Sequence, residues 1–182
     1  MTETTKEIEI KIEINDFKTI KKQLKTIGAK NKGLFFEKNI IFDKNNTFKK
    51  NDCLLRIRSD KKTTMCYKGP REKSDTMQIR EEIEFEISNL KKAILFIERL
   101  GFKQTKIYEK KRETWQYKNT EIVLDELPFG KYIEIEGLEQ DIKKTANLLG
   151  FKKEKYLTKT YFELAEEKGY TKDIIFNKNK TQ

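Results

Sequence analysis

The feature that most constrains this chain is an alternation of charged and apolar residues that recurs in several segments. Glu7-Ile8-Glu9-Ile10-Lys11 is the first example. Because successive side chains of a strand point to opposite faces, the two carboxylates and the ammonium group share one face and the isoleucines take the other. The isoleucine face must pack against other apolar groups. The open question is whether the charged face meets water or lines a site.

The same alternation returns in later segments, with polar residues on one parity. In a simple antiparallel sheet each such strand would have one wet face. Here the apolar faces also have to pack beneath several amphipathic helices, and a sheet that closes with its helices outside turns the charged faces inward. The residues expected inside are Glu7, Glu9, Lys11, Arg56, Arg58, Lys68, Arg80, Glu82, Glu84, Lys110, Arg112, Asp125, Glu134 and Glu136.

The order of strand and helix patterns predicts an α+β fold. Strands are expected at 6–14, 34–43, 53–59, 63–69, 77–87, 102–117, 120–126 and 131–137, and helices at 17–27, 89–100, 139–149 and 157–167. About eight mostly antiparallel strands with few edge-protecting features favour a closed eight-stranded β-barrel with helices packed outside. Residues 1–168 are expected to form a single domain, and residues 169–182 a basic, flexible C-terminal tail.

The number and placement of charged residues narrow the range of possible functions. The 182 residues include 40 basic and 30 acidic side chains, and the formal charge of +10 favours a polyanionic partner. Half of the inward set is acidic, and carboxylates would repel the phosphates of a nucleic acid, so that partner is disfavoured. Equal numbers of acids and bases suit a triphosphate with divalent cations, because bases hold phosphate oxygens and carboxylates hold metal.

Residue types that are scarce or missing exclude several classes of protein. The chain has no histidine, which excludes Ser-His-Asp and Cys-His catalysis and leaves oxygen ligands for any metal. Cys53 and Cys66 are expected on opposite strand faces, unable to form a disulfide, which favours a reducing, cytoplasmic setting. No apolar run approaches the roughly 18 residues of a membrane span, and no signal-peptide pattern opens the chain, so no membrane association is expected.

Six separated motifs, met in order, carry a resemblance to a known family. They are Glu7–Lys11, Arg56-x-Arg58, Lys68-Gly69-Pro70, Arg80–Glu84, Glu109–Arg112 and Asp125–Glu136, and the match extends to Thr160–Leu164. The chain resembles the CYTH superfamily, the triphosphate tunnel metalloenzymes, and its pattern is most similar to the class IV adenylyl cyclase branch. Thiamine triphosphatases and inorganic triphosphatases are other members of that superfamily.

The resemblance implies an eight-stranded antiparallel tunnel, open at both ends, and a role for each charged residue in it. The metal, Mg²⁺ or Mn²⁺, would be held by Glu7, Glu9, Asp125, Glu134 and Glu136, while Glu82 and Glu84 would bind a second metal or hold the basic residues in place. The triphosphate would be gripped by Lys11, Arg56, Arg58, Lys68, Arg80, Lys110 and Arg112. The catalytic set would be Glu7, Glu9, Lys11, Lys68 and Glu134, with Lys68 as a candidate base if its pKa is depressed.

The expected function is therefore metal-dependent chemistry on a nucleoside triphosphate or another small triphosphate. Phosphoryl chemistry needs in-line positioning and charge neutralisation, so the lack of histidine is no obstacle. The branch resemblance favours an adenylyl cyclase that converts ATP to cyclic AMP and pyrophosphate. The alternatives are a triphosphatase acting on thiamine triphosphate or inorganic tripolyphosphate and, in another class, a non-catalytic binder of polyphosphate or nucleotide.

Two further points stay open at this stage. An adenine pocket would need an apolar slot at one mouth of the tunnel, for which Phe35, Phe36, Tyr67 and Phe129 are available. A homodimer is compatible with the resemblance, although nothing in the composition indicates one.

Overall fold

The computed structural model describes residues 5–176 and shows the closed antiparallel barrel that the alternation predicts. Its strands are β1 (Thr5–Ile14), β2 (Lys30–Asp43), β3 (Leu54–Ser59), β4 (Thr63–Lys68), β5 (Gln78–Glu86), β6 (Lys103–Tyr117), β7 (Thr120–Leu127) and β8 (Gly130–Glu136). The helices are α1 (Lys18–Thr26), α2 (Thr47–Lys50), α3 (Leu90–Arg99), α4 (Glu139–Leu148) and α5 (Tyr161–Glu167), with a 3-10 turn at Lys153–Lys155. Around the barrel the order is β1-β5-β4-β3-β2-β6-β7-β8, and β8 pairs with β1.

The main apolar core lies outside the barrel wall, between the strands and the helices. Ile10 of β1 and Ile133 of β8 are fully buried against Leu24 of α1 and Ile142 of α4. A second cluster joins Ile97 of α3 to the outer faces of β2 and β3. Because helices cover the apolar faces from outside, the other parity of each strand faces the barrel interior.

Two strands run past their neighbours, and the end of the chain covers their exposed edges. Beyond the start of β5, the carbonyl of Lys11 accepts from the Leu157 amide at 2.8 Å. Beyond the end of β7, Ile174 donates to the Ile107 carbonyl at 2.9 Å and accepts from the Glu109 amide at 2.8 Å. These two bridges pair backbone groups that would otherwise leave open edges in the wall.

These bridges correct two expectations. The helix expected at 157–167 begins only at Tyr161, because Thr160 is its N-cap in a capping box with Glu163, and Leu157 pairs with β1 instead. The flexible tail expected from residue 169 does not describe residues 169–176, since Ile174 is fully buried and hydrogen-bonded to β6. Residues 177–182 lie outside the described part of the chain.

The short helix α2 was not expected from the sequence. It follows a turn at 44–46, where Asn45 and Asn46 adopt positive φ angles of 56° and 59°. The Asp43 carboxylate accepts from the Phe48 and Lys49 amides at 3.1 and 3.0 Å. Those two contacts stabilise the first turn of α2. The helix has only four residues, which is too few for a helical pattern of apolar residues to be recognised in the sequence.

Both cysteines are free, as predicted from their parity. Across residues 5–176, we find no helix with both the length and the apolar character that crossing a membrane requires.

Candidate active site

The barrel encloses a cavity of about 940 Å³ that is lined by residues from both ends of the strands. Thirteen of the fourteen side chains expected inside line it: Glu7, Glu9, Lys11, Arg56, Arg58, Lys68, Arg80, Glu82, Glu84, Lys110, Arg112, Glu134 and Glu136. The exception, Asp125, is fully buried behind the lining and bonded to two of these residues. The alternation of charged and apolar residues along the strands thus predicted which side chains face the interior.

Asp125 is the hub of a buried ion cluster on β6, β7 and β8. Its carboxylate accepts from Lys110 Nζ at 2.9 Å and from Arg112 Nε at 2.7 Å. Arg112 Nη2 also donates to Glu134 at 2.6 Å. Burial favours the neutral acid, but Arg112 and Lys110 outweigh it and hold the pKa of Asp125 well below its ordinary range. A carboxylate so fully engaged by cations serves to anchor them.

Glu37 completes this cluster and was missed from the sequence. Its side chain is 3% exposed and lies 3.5 Å from Lys110 Nζ and 3.7 Å from Arg112 Nε. Burial raises its pKa, and Lys110 and Arg112 more than reverse that effect. Aromatic residues lie on both faces of β2 near Glu37. The sequence therefore does not show which face of this strand points inward. The register of β2 against β6 places Glu37 directly opposite Lys110.

Lys11 lies at the α5 end of the cavity and is held from several sides. Its Nζ is 3.2 Å from Glu134, 3.4 Å from Glu9 and 4.5 Å from the centre of the Tyr161 ring. Burial opposes the charged form, yet Glu9 and Glu134 raise the pKa of Lys11. Tyr161, the first residue of α5, donates to Asp125 at 2.9 Å. This hydrogen bond connects helix α5 to the charged interior of the barrel.

Lys68 is shared by two carboxylates, 2.5 Å from Glu7 and 3.1 Å from Glu82. Burial raises the pKa of Glu7 to about 8, with Lys68 opposing and Glu9 reinforcing the shift. The pKa of Glu82 shifts in the opposite direction. Burial of Glu82 would raise this pKa, but the charge of Lys68 outweighs that effect and lowers it to about 2. The pKa of Lys68 itself is raised, since Glu7 and Glu82 outweigh its burial. The condition under which Lys68 would serve as a general base, a depressed pKa, is therefore not favoured by its surroundings.

A row of carboxylates crosses three adjacent strands. Glu136 of β8 is the register partner of Glu9 on β1 and of Glu121 on β7, and all three line the cavity. Partial burial, then Glu9 and Glu121, raise the pKa of Glu136 to about 7. Carboxylate oxygens are the ligands that a hard divalent cation prefers, but among residues 5–176 these three side chains do not bring one oxygen each within 4.8 Å of one another. Glu121 was missed because it stands alone beside a turn.

Within residues 5–176, the group of three ligand atoms lying within 4.8 Å of one another is Cys66, Glu82 and Glu84. Burial raises the pKa of the Cys66 thiol to about 12, and its Sγ donates to Glu82 at 3.0 Å. Glu84 accepts from Arg56 at 3.4 Å and from Arg58 at 2.7 Å. A protonated thiol and two carboxylates occupied by cations suit the holding of basic residues better than the binding of a metal.

Arg71, in the loop after β4, is a second residue that the sequence did not reveal. It donates to Asp52 at 2.8 Å, to Glu163 at 3.0 Å and to the Thr158 carbonyl at 3.0 Å. One guanidinium thus joins the loop before β3, the loop after β4 and helix α5 at one mouth of the cavity. We call this set of contacts around Arg71 the clamp. The loops that form it have no periodic sequence pattern, so only the tertiary structure shows it.

Comparison with known proteins agrees with this geometry. A family model described as CYTH domain matches residues 5–168. The chain belongs to the CYTH family. A Methanocaldococcus jannaschii protein named "Putative adenylate cyclase" is 30% identical to this CYTH chain over 172 residues, which is 87% of this chain and 97% of that protein.

Solved structures show the same fold. A protein from Pyrococcus horikoshii OT3 is 33% identical, with a TM-score of 0.71, covering 89% of this CYTH chain and 99% of its own. A Hippeastrum protein described as a "putative adenylyl cyclase" with a dominant triphosphatase activity is 19% identical, with a TM-score of 0.67 over 89% of this chain and 96% of its own. At that identity the likeness concerns the fold alone.

One mouth of the CYTH barrel, near α2 and α5, is partly apolar. Near α2 and α5 the lining includes the apolar side chains of Ile41, Phe48, Leu54 and Phe162 together with three lysines. None of the four aromatic residues suggested for an adenine slot, Phe35, Phe36, Tyr67 and Phe129, belongs to the described lining. The apolar part of this lining, which we call the apolar slot, is built from other residues, and Ile41, Leu54 and Phe162 also pack together in one apolar cluster.

Proposed function

We propose that this protein is a metal-dependent enzyme that acts on a triphosphate inside its tunnel, and that its reaction is the conversion of ATP to cyclic AMP and pyrophosphate. The observation that carries the proposal is the cavity itself, whose walls set buried arginines and lysines against a row of carboxylates. Cations suit the phosphate oxygens, and carboxylates suit the divalent ion that neutralises a phosphate chain.

In this proposal, Glu7, Glu9, Glu134 and Glu136 hold Mg²⁺ or Mn²⁺, with Glu121 beside them. Their oxygens are the donor type that both ions prefer. When bound, the ion supplies Lewis-acid neutralisation of charge on phosphate oxygens. Asp125 is assigned a different role from the one the resemblance implied, because it is fully buried behind the cavity lining, where Lys110 and Arg112 donate to it.

The phosphate grip consists of Lys11, Arg56, Arg58, Lys68, Arg80, Lys110 and Arg112. Each is held by a carboxylate or carbonyl before substrate arrives: Arg80, for example, donates to the Gly69 carbonyl at 2.9 Å and to the Asp52 carbonyl at 2.6 Å. Donors fixed in this way need little reorganisation when charge develops on the reacting phosphate, which is the main source of catalysis in phosphoryl chemistry.

The apolar slot formed by Ile41, Phe48, Leu54 and Phe162 supports a substrate that carries an organic group. The adenine ring of ATP fits such a slot by stacking and apolar contact. The name of the Methanocaldococcus relative supports the cyclase reaction in particular.

A triphosphatase is the second candidate. The four slot residues present no side-chain amide or carboxylate that would select adenine, whereas the grip on the phosphate chain is extensive. In that case the terminal phosphate of thiamine triphosphate or tripolyphosphate would be released by water.

Product analysis tests the proposal. The protein is incubated with Mg²⁺ or Mn²⁺ and, separately, with ATP, tripolyphosphate and thiamine triphosphate. Cyclic AMP with pyrophosphate supports the cyclase, and free phosphate supports the triphosphatase. Binding without turnover under either metal would leave a non-catalytic polyphosphate or nucleotide binder.

A variant pair connects turnover to the site. Glu9→Ala should abolish turnover while tripolyphosphate binding is largely kept, because the carboxylate serves the metal. Glu98→Ala, on exposed α3, is the matched control and should keep full activity. Equal activity in both variants would contradict the metal assignment.

The proposal also includes a cytoplasmic setting, supported by two free thiols, and a small-molecule partner in preference to nucleic acid. A homodimer stays a prediction, which light scattering on the purified protein would test.

A further inference from the structure

Arg80 is held differently from the other six cations of the phosphate grip. A carboxylate oxygen lies within 3.4 Å of a charged nitrogen in each of the others, which are Lys11, Arg56, Arg58, Lys68, Lys110 and Arg112. Arg80 is 6% exposed, and its ion pair with Asp52 Oδ1 is 3.8 Å long. Its short contacts go to two main-chain carbonyls, from Nε to Gly69 at 2.9 Å and from Nη2 to Asp52 at 2.6 Å. The backbone of these two residues therefore sets where the guanidinium lies.

One nitrogen of the Arg80 guanidinium is open to the cavity. Among residues 5–176, Nη1 donates to no protein group, and it is not shielded from solvent. Arg80 itself lines the cavity. A guanidinium with two nitrogens engaged by carbonyls still has the donors of its third nitrogen for a phosphate oxygen. The direction of that nitrogen depends on the two carbonyls.

The two carbonyls are fixed by different means. Gly69 extends the pairing of β4 with β5, since its amide donates to the Glu81 carbonyl at 2.9 Å. Asp52 lies in the connection between α2 and β3, outside any strand. Its φ angle is 54°, in the left-handed region that glycine adopts freely and other residues rarely adopt. The direction of the Asp52 carbonyl depends on this unusual conformation.

The carboxylate of Asp52 explains why an aspartate suits this position. Its Oδ2 accepts from the Arg71 amide at 2.9 Å and from Arg71 Nε at 2.8 Å. Burial would raise the pKa of Asp52, but the hydrogen bonds from Arg71 outweigh that effect and lower it. Glycine would adopt the same φ angle with less strain but could not accept these two hydrogen bonds. The side chain of Asp52 thus supplies a fixed link to Arg71 that the turn alone does not require.

We propose that Asp52 is a positioning residue for Arg80: Arg71 holds the carboxylate of Asp52, and the carbonyl of Asp52 holds the guanidinium of Arg80. This inference rests on the proposed function, in which Arg80 binds the triphosphate, and names the residue that sets the direction of that cation. Asp52 acts through Arg80 and needs no contact with the substrate. Small displacements of a group that holds a substrate are costly, since an error of about 1 Å can lower activity by roughly 100-fold.

Titration with tripolyphosphate in the absence of divalent metal tests the inference without turnover. Asp52→Gly should weaken binding about 10-fold, the factor that one hydrogen bond to a charged group contributes, because Arg80 loses its fixed direction. Asp52→Asn should weaken it less than about 3-fold, since an amide oxygen can still accept from Arg71 and asparagine tolerates a positive φ angle. Asn45→Gly is the matched control, at an exposed residue with a φ angle of 56°, and should leave binding unchanged.

A double-mutant cycle separates positioning from a general loss of structure. Arg80→Met alone should weaken binding about 10-fold, because a charged hydrogen bond to phosphate is lost. Adding Asp52→Gly to Arg80→Met should weaken binding no further, whereas independent structural effects would add. If Asp52→Gly fails to fold, Arg71→Met takes its place in the same cycle, since it removes the Nε hydrogen bond to Asp52.

The outcomes distinguish this inference from the proposed function. If the wild-type protein binds tripolyphosphate, the inference is overturned by wild-type affinity in Asp52→Gly, by wild-type affinity in Arg80→Met or by additive losses in the cycle. In those cases the tunnel proposal stands. No binding of tripolyphosphate by the wild-type protein would overturn both.

Discussion

Some charged residues inside this barrel are neutralised by buried protein partners, and others are carboxylates that face one another across adjacent strands. Asp125 and Glu37 neutralise Lys110 and Arg112 before any ligand arrives. Glu9, Glu121 and Glu136 face one another. We therefore expect the neutralised residues to matter for folding and the facing carboxylates to matter for binding.

Asp125→Asn should lower the free energy of unfolding by about 3 kcal/mol, because Lys110 and Arg112 lose the carboxylate to which both donate and keep only part of their buried negative charge. Urea denaturation at pH 7 measures this loss. Glu98→Gln on the exposed face of α3 should change stability by less than about 0.5 kcal/mol. A loss no larger than that of the control would show that the buried cluster is not stabilising.

The loss should depend on pH. The pKa of Asp125 is lower in the folded protein, so its contribution is present above the unfolded pKa of about 4 and disappears as pH falls through the folded value. The difference between wild type and Asp125→Asn should accordingly shrink in strong acid.

Single-residue placement was predictable wherever polar and apolar residues alternate without interruption. Glu7, Glu9 and Lys11 show this, since isoleucines fill the opposite parity. Glu37 and Asn39 were not predictable, because β2 places Phe35 and Phe36 on opposite faces and its parity is ambiguous. Partners across strands, such as Glu82 for Lys68, depend on register, which a single sequence does not state.

Helix α5 is the element whose attachment matters most to the cavity. Arg71 ties it to the loop before β3 through Asp52 and Glu163. Arg71→Met should release this tie and speed amide hydrogen exchange in residues 157–167 by about 10-fold, since charged hydrogen bonds are lost. Arg99→Met, on exposed α3, should leave exchange in α5 unchanged, and equal exchange in both variants would contradict the clamp.

The segment after α5 offers a matched pair of substitutions. Ile174 is 0% exposed and Ile175 is 43% exposed. Ile174→Ala should cost about 2–4 kcal/mol by leaving a cavity against Tyr108 and Ala165, and Ile175→Ala less than about 1 kcal/mol. Denaturant unfolding compares the two variants. Equal small losses would mean that the segment is not docked in solution.

At the level of elements, the strands and the long helices were predictable because each carries its own period. The end of the chain was not. Leu157, Tyr161 and Leu164 have helical spacing, yet Leu157 completes the edge of β1, and no local pattern records a pairing with a residue 146 positions earlier. The same limit explains why residues 169–176 resembled a tail.

The whole molecule should respond to pH through its raised carboxyl groups. The pKa values of Glu7 and Glu136, about 8 and 7, exceed those of an unfolded chain, so the folded state binds more protons between about pH 4.5 and pH 8. Stability therefore falls as pH rises through that range. Calorimetry of the metal-free protein at pH 5.5 and 8 measures the fall in unfolding temperature.

The variant Glu136→Gln and the addition of Mn²⁺ test whether the raised carboxyl pKa values cause this fall. Glu136→Gln should reduce the fall, because glutamine stays neutral throughout. Added Mn²⁺ should raise the unfolding temperature more at pH 8 than at pH 5.5, since a cation binds deprotonated carboxylates. A wild-type protein equally stable at both pH values would contradict the assignment of raised pKa values to these residues.

The bridges at Leu157 and Ile174 have a consequence for synthesis. On the ribosome β1 emerges first, but its partner β8 follows only after residue 130, and the last open edges of β1 and β6 wait for residues 157 and 174. Until then the nascent chain exposes unpaired strand edges, which is the condition under which proteins aggregate or recruit chaperones. These edges of the wall are thus covered by segments that follow all eight strands, and ribosome-bound chains stalled before residue 174 should expose the edge of β6.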